Sequence, residues 1–494
     1  MIKTLLIANR GEIAVRIART ARRMGVRTFG VRTAKEPEAV YLSEVDQVID
    51  FPVSDDNIPE FLNMDVLVSL AKQHRIQAIH PGYGYLSENA QFARLCEQGK
   101  ILFVGPSSQV IENMGDKTIA RTIAARCGVP VLGGSKGALS DVAEALEVAS
   151  QVGYPVIVKA SSGGGGRGMR IVREPSQMAE MFANAANEAK VAFNDPSLFV
   201  EKYLDDPKHI EVQIVADAFG HVVHLGEREC SIQRKHQKLL EEAPSPAIDE
   251  GLRARMGQAA VALAKEVGYQ SLGTVEFLLD AHGGFYFMEM NTRIQVEHPV
   301  TEMITGLDLV ELQILIASGK RLPMTQEQVK LNGWAIECRI NAEDTQAGFA
   351  PCTGKIKGLR IPQSAHVRID TGIRPGSEIT PWFDSMVAKL IVHAPTREQA
   401  IERTLQALEQ FHVKGIKTTV PFAKAVLAHP VFKSGKATTS FVEKQMGDMV
   451  YRAEHEAVLA ALVAVYQHLH ATTPPLASEA AIDPWVLKKR IRNL

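Results

Sequence analysis

Two different hydrophobic periods run along this chain. In its first part, short apolar runs at 4–8, 28–31, 77–80 and 101–104 alternate with a helical pattern over 11–24, the arrangement expected of an open parallel sheet. Only Gly11 stands at the first strand-to-helix turn, which is not a dinucleotide fingerprint. Farther on, strand-length runs dominate. Residues 155–160, 169–172 and 198–204 each read as a strand. Two more, 276–280 and 285–291, close on each other through the turn 281–284 as a hairpin. Beyond Gly333 a strand over 334–339 and a helix over 397–410 outline a C-terminal domain. A last helical pattern, 454–470, carries Val458, Leu462, Val465 and Leu469 on one stripe, ahead of a Thr-Thr-Pro-Pro break and Trp485 beside a basic end. That tail reads either as a helix packed on its own protein or as a docking element for a partner subunit. The resulting division is 1–113, 114–330 with a separable lobe at 131–203, 331–446 and 447–494.

Composition narrows the function classes. At 494 residues the chain has room for several cores. Its 55 basic and 56 acidic residues balance to −1, which gives no electrostatic footprint for nucleic acid or an anionic membrane. Five scattered cysteines without C-x-x-C spacing argue against a disulfide framework or a zinc site, and for a reducing cytoplasm. Cys230 reads as a packed residue. The N-terminus reads as a strand and not a signal peptide, and no apolar stretch approaches the ~20 residues of a membrane span.

The hairpin is where the chemistry concentrates. A four-residue turn sets Glu276 opposite Glu289, with Asn291 following on the same face. Directly opposed carboxylates are destabilising unless a cation lies between them. Glu, Glu and Asn offer only oxygen, which suits a hard divalent ion such as Mg²⁺. If the chain stays extended to Pro299, Arg293, Gln295 and Glu297 also point that way. Upstream, a strand ending in Lys159 leads into five glycines within 163–168, with Arg167 among them. Such a run lets the backbone approach an anion closely, as a mobile cover over phosphates would. It matches neither the P-loop nor G-x-G-x-x-G. Glu201, at the end of the next strand, is a candidate for holding an adenine.

These residues resemble a known family. Lys159 with the glycine run, Glu201-Lys-Tyr-Leu204, His209-Ile-Glu211-Val-Gln213, the stretch Glu229 to Lys238, Glu276, and Met288 to Glu302 together look like the biotin carboxylase component of biotin-dependent carboxylases, an ATP-grasp enzyme. The likeness runs from Asn9-Arg10-Gly11 through His80-Pro-Gly-Tyr83, Met114-Gly-Asp-Lys117 and Glu337-Cys-Arg339 to Phe383-Asp-Ser-Met386, covering about residues 1–446. The implied fold is mixed α/β and α+β: an N-terminal open parallel-sheet (Rossmann-like) domain, an ATP-grasp domain with a mobile lid lobe, and a biotin carboxylase C-terminal domain.

The resemblance also implies residue roles. Lys117, Lys159 and the lid glycines Gly164, Gly165 and Gly166 would hold ATP phosphates. Glu201 and Leu204 would lie at the adenine, and His209, Gln233 and His236 would line the nucleotide pocket. Glu276, Glu289 and Asn291 would bind two Mg²⁺ (or Mn²⁺) ions. Lys238, Arg293, Gln295 and Val296 would bind bicarbonate, Glu297 would be its general base, and Arg339 would stabilise the biotin enolate. Biotin would arrive on a carrier protein, because no Ala-Met-Lys-Met biotinyl segment occurs in the sequence. Carrier and carboxyltransferase would then be separate chains, and the protein a homodimer or part of a larger complex. The final acceptor, among acetyl-CoA, propionyl-CoA, pyruvate and other acids, is left open. The pattern departs from the family over 28–56, at Ser162 and at Phe383, where a tyrosine is usual. The alternatives are another ATP-grasp ligase acting on an amine, which would not need Lys238, Arg293, Gln295, Glu297 and Arg339 together, and a non-catalytic nucleotide-binding subunit, which should have lost a ligand or the base.

Overall fold

The computed structural model describes residues 1–52, 58–139, 141–161, 168–447 and 461–467. The chain separates into two units, Met1–Met449 and Val450–Leu494.

The N-terminal part of the first unit is built on five parallel strands in the order Gln47–Asp50, Arg27–Arg32, Thr4–Ile7, Ala78–His80 and Leu102–Phe103. The central strand carries Leu5, Leu6 and Ile7, all fully buried, as a strand covered on both faces requires. Against it lies the helix Gly11–Arg23, whose buried Ile13, Ala14, Ile17, Ala18 and Ala21 recur at helical spacing. Gly372 allows the C-terminal part to close on the start of this helix, since a Cβ there would stand 2.8 Å from backbone atoms of Gly11 and Glu12.

The body of the molecule is one antiparallel sheet of eight strands. Their order is Phe285–Asn291, Ser271–Leu279, Lys208–Ala216, Val222–Arg234, Gln237–Ala243, Trp334–Asn341, Met386–Ala394 and Val367–Thr371. Pairing of Gln237–Ala243 with Trp334–Asn341 carries this sheet across residue 330, so the C-terminal strands extend the same surface that bears the hairpin. The helix Arg397–Gln410 packs on this sheet through Ala400, Ile401, Ala407 and Leu408.

The lobe within 131–203 has its own core. Three strands, Met169–Val172, Val156–Ala160 and Leu198–Lys202, are backed by the helices Val142–Val152 and Met178–Phe193, with Val156, Val158, Ala185, Ala189, Leu198 and Val200 fully buried. A separate core of this kind lets a lobe move as a body. Gly164, Gly165, Gly166 and Ser162 lie outside the described residues.

One expectation needs correction. The metal-facing strand does not run on to residue 297; it ends at Asn291, and a loop leads into the helix His298–Thr305. Pro299, in the first turn of that helix, fits the helical start. In the second unit, Leu462, Val463, Val465 and Tyr466 of the helical 461–467 are all more than half exposed; Val458, Leu469 and Trp485 lie outside the described residues. No described helix is long and apolar enough to cross a membrane.

Candidate active site

Glu276 does face Glu289, but by a less direct route than the turn alone suggests. The pairs Leu279↔Phe285 and Phe277↔Phe287 leave five residues in the turn, and a bulge at Met288 then restores Glu276↔Glu289. Asp280 ties the turn, its Oδ1 accepting from the backbone N–H groups of His282 and Gly284, both at 2.8 Å. The Glu289 carboxyl has no hydrogen bond or ion pair among the described residues. Burial and the charge of Glu276 push its pKa up.

Glu276, by contrast, is crowded with donors. Its Oε1 accepts from Lys238 Nζ (2.9 Å), Asn291 Nδ2 (2.8 Å) and Gln295 Nε2 (2.9 Å), and its Oε2 lies 2.9 Å from His209 Nε2. Lys238 is the hub of the site, donating also to Glu211 Oε2 (2.5 Å) and Glu297 Oε1 (2.7 Å). Burial alone would lower the lysine pKa. The three carboxylates outweigh it and hold it well above its usual value. Burial likewise favours the neutral Glu297, but Lys238, Arg339 and Arg228 overcome it and keep this carboxyl ionised far below the usual range.

The loop after Asn291 brings Arg293, Gln295 and Glu297 back to the same place that an extended strand would have reached. Arg293 Nη2 donates to Asn291 Oδ1 (2.9 Å) and its Nε to Glu88 Oε2 (2.8 Å). The carbonyl of Val296 accepts from Lys389 Nζ at 2.8 Å. Arg339, from the neighbouring strand, donates through Nη2 to Glu297 Oε2 (3.0 Å) and through Nε to Glu241 Oε1 (2.6 Å).

A second cluster lies toward the lobe. Glu201 stands between Lys159 and Arg121 as an ion-paired carboxylate, linking the lobe's sheet to the helix Lys117–Arg126. Lys117 opens that helix, whose first N–H groups are capped by Asp116, and its charge acts on Glu289. Leu204 is half-buried just past the strand that bears Glu201. Gln233 Nε2 lies 2.6 Å from His209 Nδ1. His236 is not joined to that pair; it sits exposed, with φ +64°, in the turn before Lys238.

Three residues escaped the sequence reading: Arg228, Glu241 and Lys389. Arg228, fully buried, spends its guanidinium on Glu211 Oε1, Gln213 Oε1 (2.7 Å), Thr301 Oγ1 (3.0 Å), Thr274 Oγ1 (3.1 Å) and Gln295 Oε1 (2.8 Å). For Lys389 the available signal was a charge embedded in the otherwise apolar strand Met386–Ala394, since such groups are rarely buried unless paired; Arg228, between Glu227 and Glu229, offered no such signal.

Family models match almost the whole of the first unit: biotin carboxylase, N-terminal domain over 1–111, carbamoyl-phosphate synthase L chain, ATP binding domain over 116–325, and biotin carboxylase C-terminal domain over 337–444. A biotin carboxylase of Halalkalibacterium halodurans is 51% identical over 447 residues, 90% of this chain and 98% of the relative. The chain belongs to the biotin carboxylase family. Within this family, the 2-oxoglutarate carboxylase small subunit of Hydrogenobacter thermophilus is 46% identical over 475 residues, 95% of this chain and 100% of that one. The crystal structure of the biotin carboxylase domain dimer of that organism's 2-oxoglutarate carboxylase, in complex with MgADP, ADP and bicarbonate, superposes with a TM-score of 0.88 at 47% identity, covering 92% of this chain and 99% of that one.

Proposed function

We propose that the chain carboxylates biotin at the expense of ATP and bicarbonate. The observation that carries this reading is the coupling of Lys238 and Arg339 through the two oxygens of Glu297. It sets a base between two cations, one on the phosphoryl side and one on the acceptor side.

The residues present suit a divalent ion. Among the described residues Glu289 lacks a hydrogen-bond or ion-pair partner and stands opposite a second carboxylate, all three ligand side chains offer oxygen, and the Asn291 amide needs only rotation about its last bond to turn Oδ1 inward from Arg293. Glu276, Glu289 and Asn291 would hold Mg²⁺ or Mn²⁺, which when bound supplies charge screening for the nucleotide phosphates.

Lys117 and Lys159 meet the phosphates, with Lys159 exchanging Glu201 for them. Glu201 and Leu204 lie at the adenine, and Gly164, Gly165 and Gly166 close over the chain of phosphates. His209 and Gln233 line the pocket; His236 reaches it from its turn. Bicarbonate binds between Lys238, Arg293, Gln295 and the Val296 backbone, taking over the cations that now neutralise Glu297. Only then does Glu297 become basic enough to accept the bicarbonate proton, because its present partners favour the ionised form too strongly. The bicarbonate oxygen attacks the γ-phosphorus and ADP leaves. The resulting carboxyphosphate splits to CO₂ and phosphate. Phosphate takes the biotin N1 proton, N1 bonds to CO₂, and Arg339 holds the ureido oxygen while it carries charge.

A separate carrier brings the biotin and serves a separate carboxyltransferase, a division supported by the relative that is itself the small subunit of a 2-oxoglutarate carboxylase. The chain works as a homodimer or within a larger complex, in the cytoplasm, where its free cysteines remain reduced. Its working parts are 1–113, 114–330 with the lid lobe 131–203, and 331–446, followed by the extension 447–494. Transfer of labelled bicarbonate to free biotin, dependent on ATP, tests the assignment. Labelled product that forms equally well without ATP would refute it.

A further inference from the structure

Behind Arg339 lies a pair of carboxyl groups to which the reaction as described gives no task. Glu241 and Glu337 are direct partners in the antiparallel register of their strands, and neither is exposed at all. One oxygen of Glu241 accepts from Arg339 Nε at 2.6 Å, and the other has no hydrogen-bond partner among the described residues. Neither oxygen of Glu337 has one among them. Two buried carboxylates at adjacent positions in a sheet cannot both stay ionised at low cost. One of them holds a proton, and the guanidinium on Glu241 leaves it to Glu337, whose carboxyl burial pushes well up.

We propose that Glu241 is the positioning residue for the biotin half of the reaction: as the ionised member of the pair it anchors Arg339 by Nε and so aims the Nη2 edge of the guanidinium at the site of the ureido oxygen. The proposal rests on the biotin carboxylase reading. It accounts for a geometry in which Arg339 is held at two of its nitrogens by different carboxylates, Nε by Glu241 and Nη2 by Glu297. Biotin competes only for the second contact. Without the first, an arginine that released Glu297 would have no fixed plane.

The surroundings set the direction of a pH effect. Lys238 from its own strand, Arg339, Glu337 and Cys338 from the neighbouring strand, Glu297 from the site loop and Cys230 from the other neighbouring strand act on Glu241. Lys389, Arg339, Glu297 and Tyr83 lie within reach of Glu337. Burial, opposed chiefly by Arg339, raises the Glu241 carboxyl to about 7. Below that pH it gains a proton and the anchor weakens.

Initial rates with free biotin, ATP, Mg²⁺ and bicarbonate would be measured from pH 6 to pH 9 for the wild type, Glu241→Gln and Glu337→Gln. Affinity for MgADP would serve as the measure of an intact fold. The wild type should show a limb near neutral pH, with kcat falling toward acid. Glu241→Gln should bind MgADP as the wild type does, lower kcat with biotin by about tenfold and lose that limb. Glu337→Gln, which replaces one neutral group by another, should keep the limb in place. A Glu241→Gln enzyme with wild-type kcat and an unmoved limb would overturn the proposal, as would a limb abolished by Glu337→Gln with Glu241 intact. Wild-type ATP turnover indifferent to biotin would show instead that the functional reading beneath it is wrong.

Discussion

Glu276 and Glu289 are cross-strand partners, and the bulge at Met288 is what makes them so. Without the extra residue Glu276 would pair with Met288, and the Glu289 side chain would fall on the opposite face. The one carboxylate is saturated with donors, whereas the other has none among the described residues, so they should respond differently to mutation. Glu289→Gln should raise the Mg²⁺ concentration needed for half-maximal ATP turnover by about tenfold, with little change in melting temperature, since no hydrogen bond is lost. Titrating activity against Mg²⁺ checks this.

Glu297→Gln should separate binding from chemistry. The amide keeps the bulk of the carboxylate but cannot accept the bicarbonate proton, so kcat should drop by about 10²-fold or more while ATP affinity stays near wild type. Steady-state kinetics alongside nucleotide binding decide this. A loss in ATP affinity equal to the loss in kcat would mean that Glu297 serves the nucleotide and not the acceptor.

Arg228 should prove more costly than any single ligand. It joins three strands, the helix His298–Thr305 and the site loop through one guanidinium, and breaking a buried pair of this kind typically costs about 3–5 kcal/mol. Arg228→Lys should lower the melting temperature by several degrees and, because Gln295 loses its partner, raise the KM for bicarbonate more than that for ATP. Thermal unfolding and bicarbonate kinetics on the same preparation measure both.

Two buried histidines give stability a dependence on pH. Burial lowers His80 to about 3 and holds His298 well below its usual value. Both are therefore neutral in the folded chain, whereas an unfolded histidine gains a proton below about 6.5. The unfolded state then binds more protons, so stability falls as pH drops through that value. The depressed carboxyls of Glu276 and Glu297 add a further loss only near and below about pH 4.3. The raised carboxyls of Glu241, Glu289 and Glu337 act in the opposite sense over the same range, so the histidine effect is read by comparison: between pH 7 and 5 the melting temperature of the wild type should fall relative to that of His80→Gln.

Much of this could be read in the sequence because its local signals agree with the structure. The alternation of strand and helix gave the parallel sheet, Lys159 and its glycines marked the lobe, and the facing of Glu276 and Glu289 followed from the hairpin. The route was partly wrong, however. Period-two alternation put Arg293, Gln295 and Glu297 on an extended strand, while in the protein a loop delivers them, because Pro299 starts a helix. Spacing alone does not distinguish these two paths when both end in the same place. Nor could local pattern show that Gln237–Ala243 pairs with Trp334–Asn341. That pairing joins segments about 95 residues apart, and it is what brings Arg339 to Glu297. Arg228 and Glu241 went unnoticed for the same reason: each is explained by partners distant in sequence.

The most direct test of the account is phosphate release from ATP by the full-length chain with each component omitted in turn. Release should require Mg²⁺ and bicarbonate together and should rise when free biotin is added, because Lys238, Glu297 and Arg339 couple the phosphoryl and biotin ends of one site. Release that is unchanged without bicarbonate, but stimulated by an amine or a carboxylic acid, would contradict it and assign the chain to a different ATP-dependent ligation.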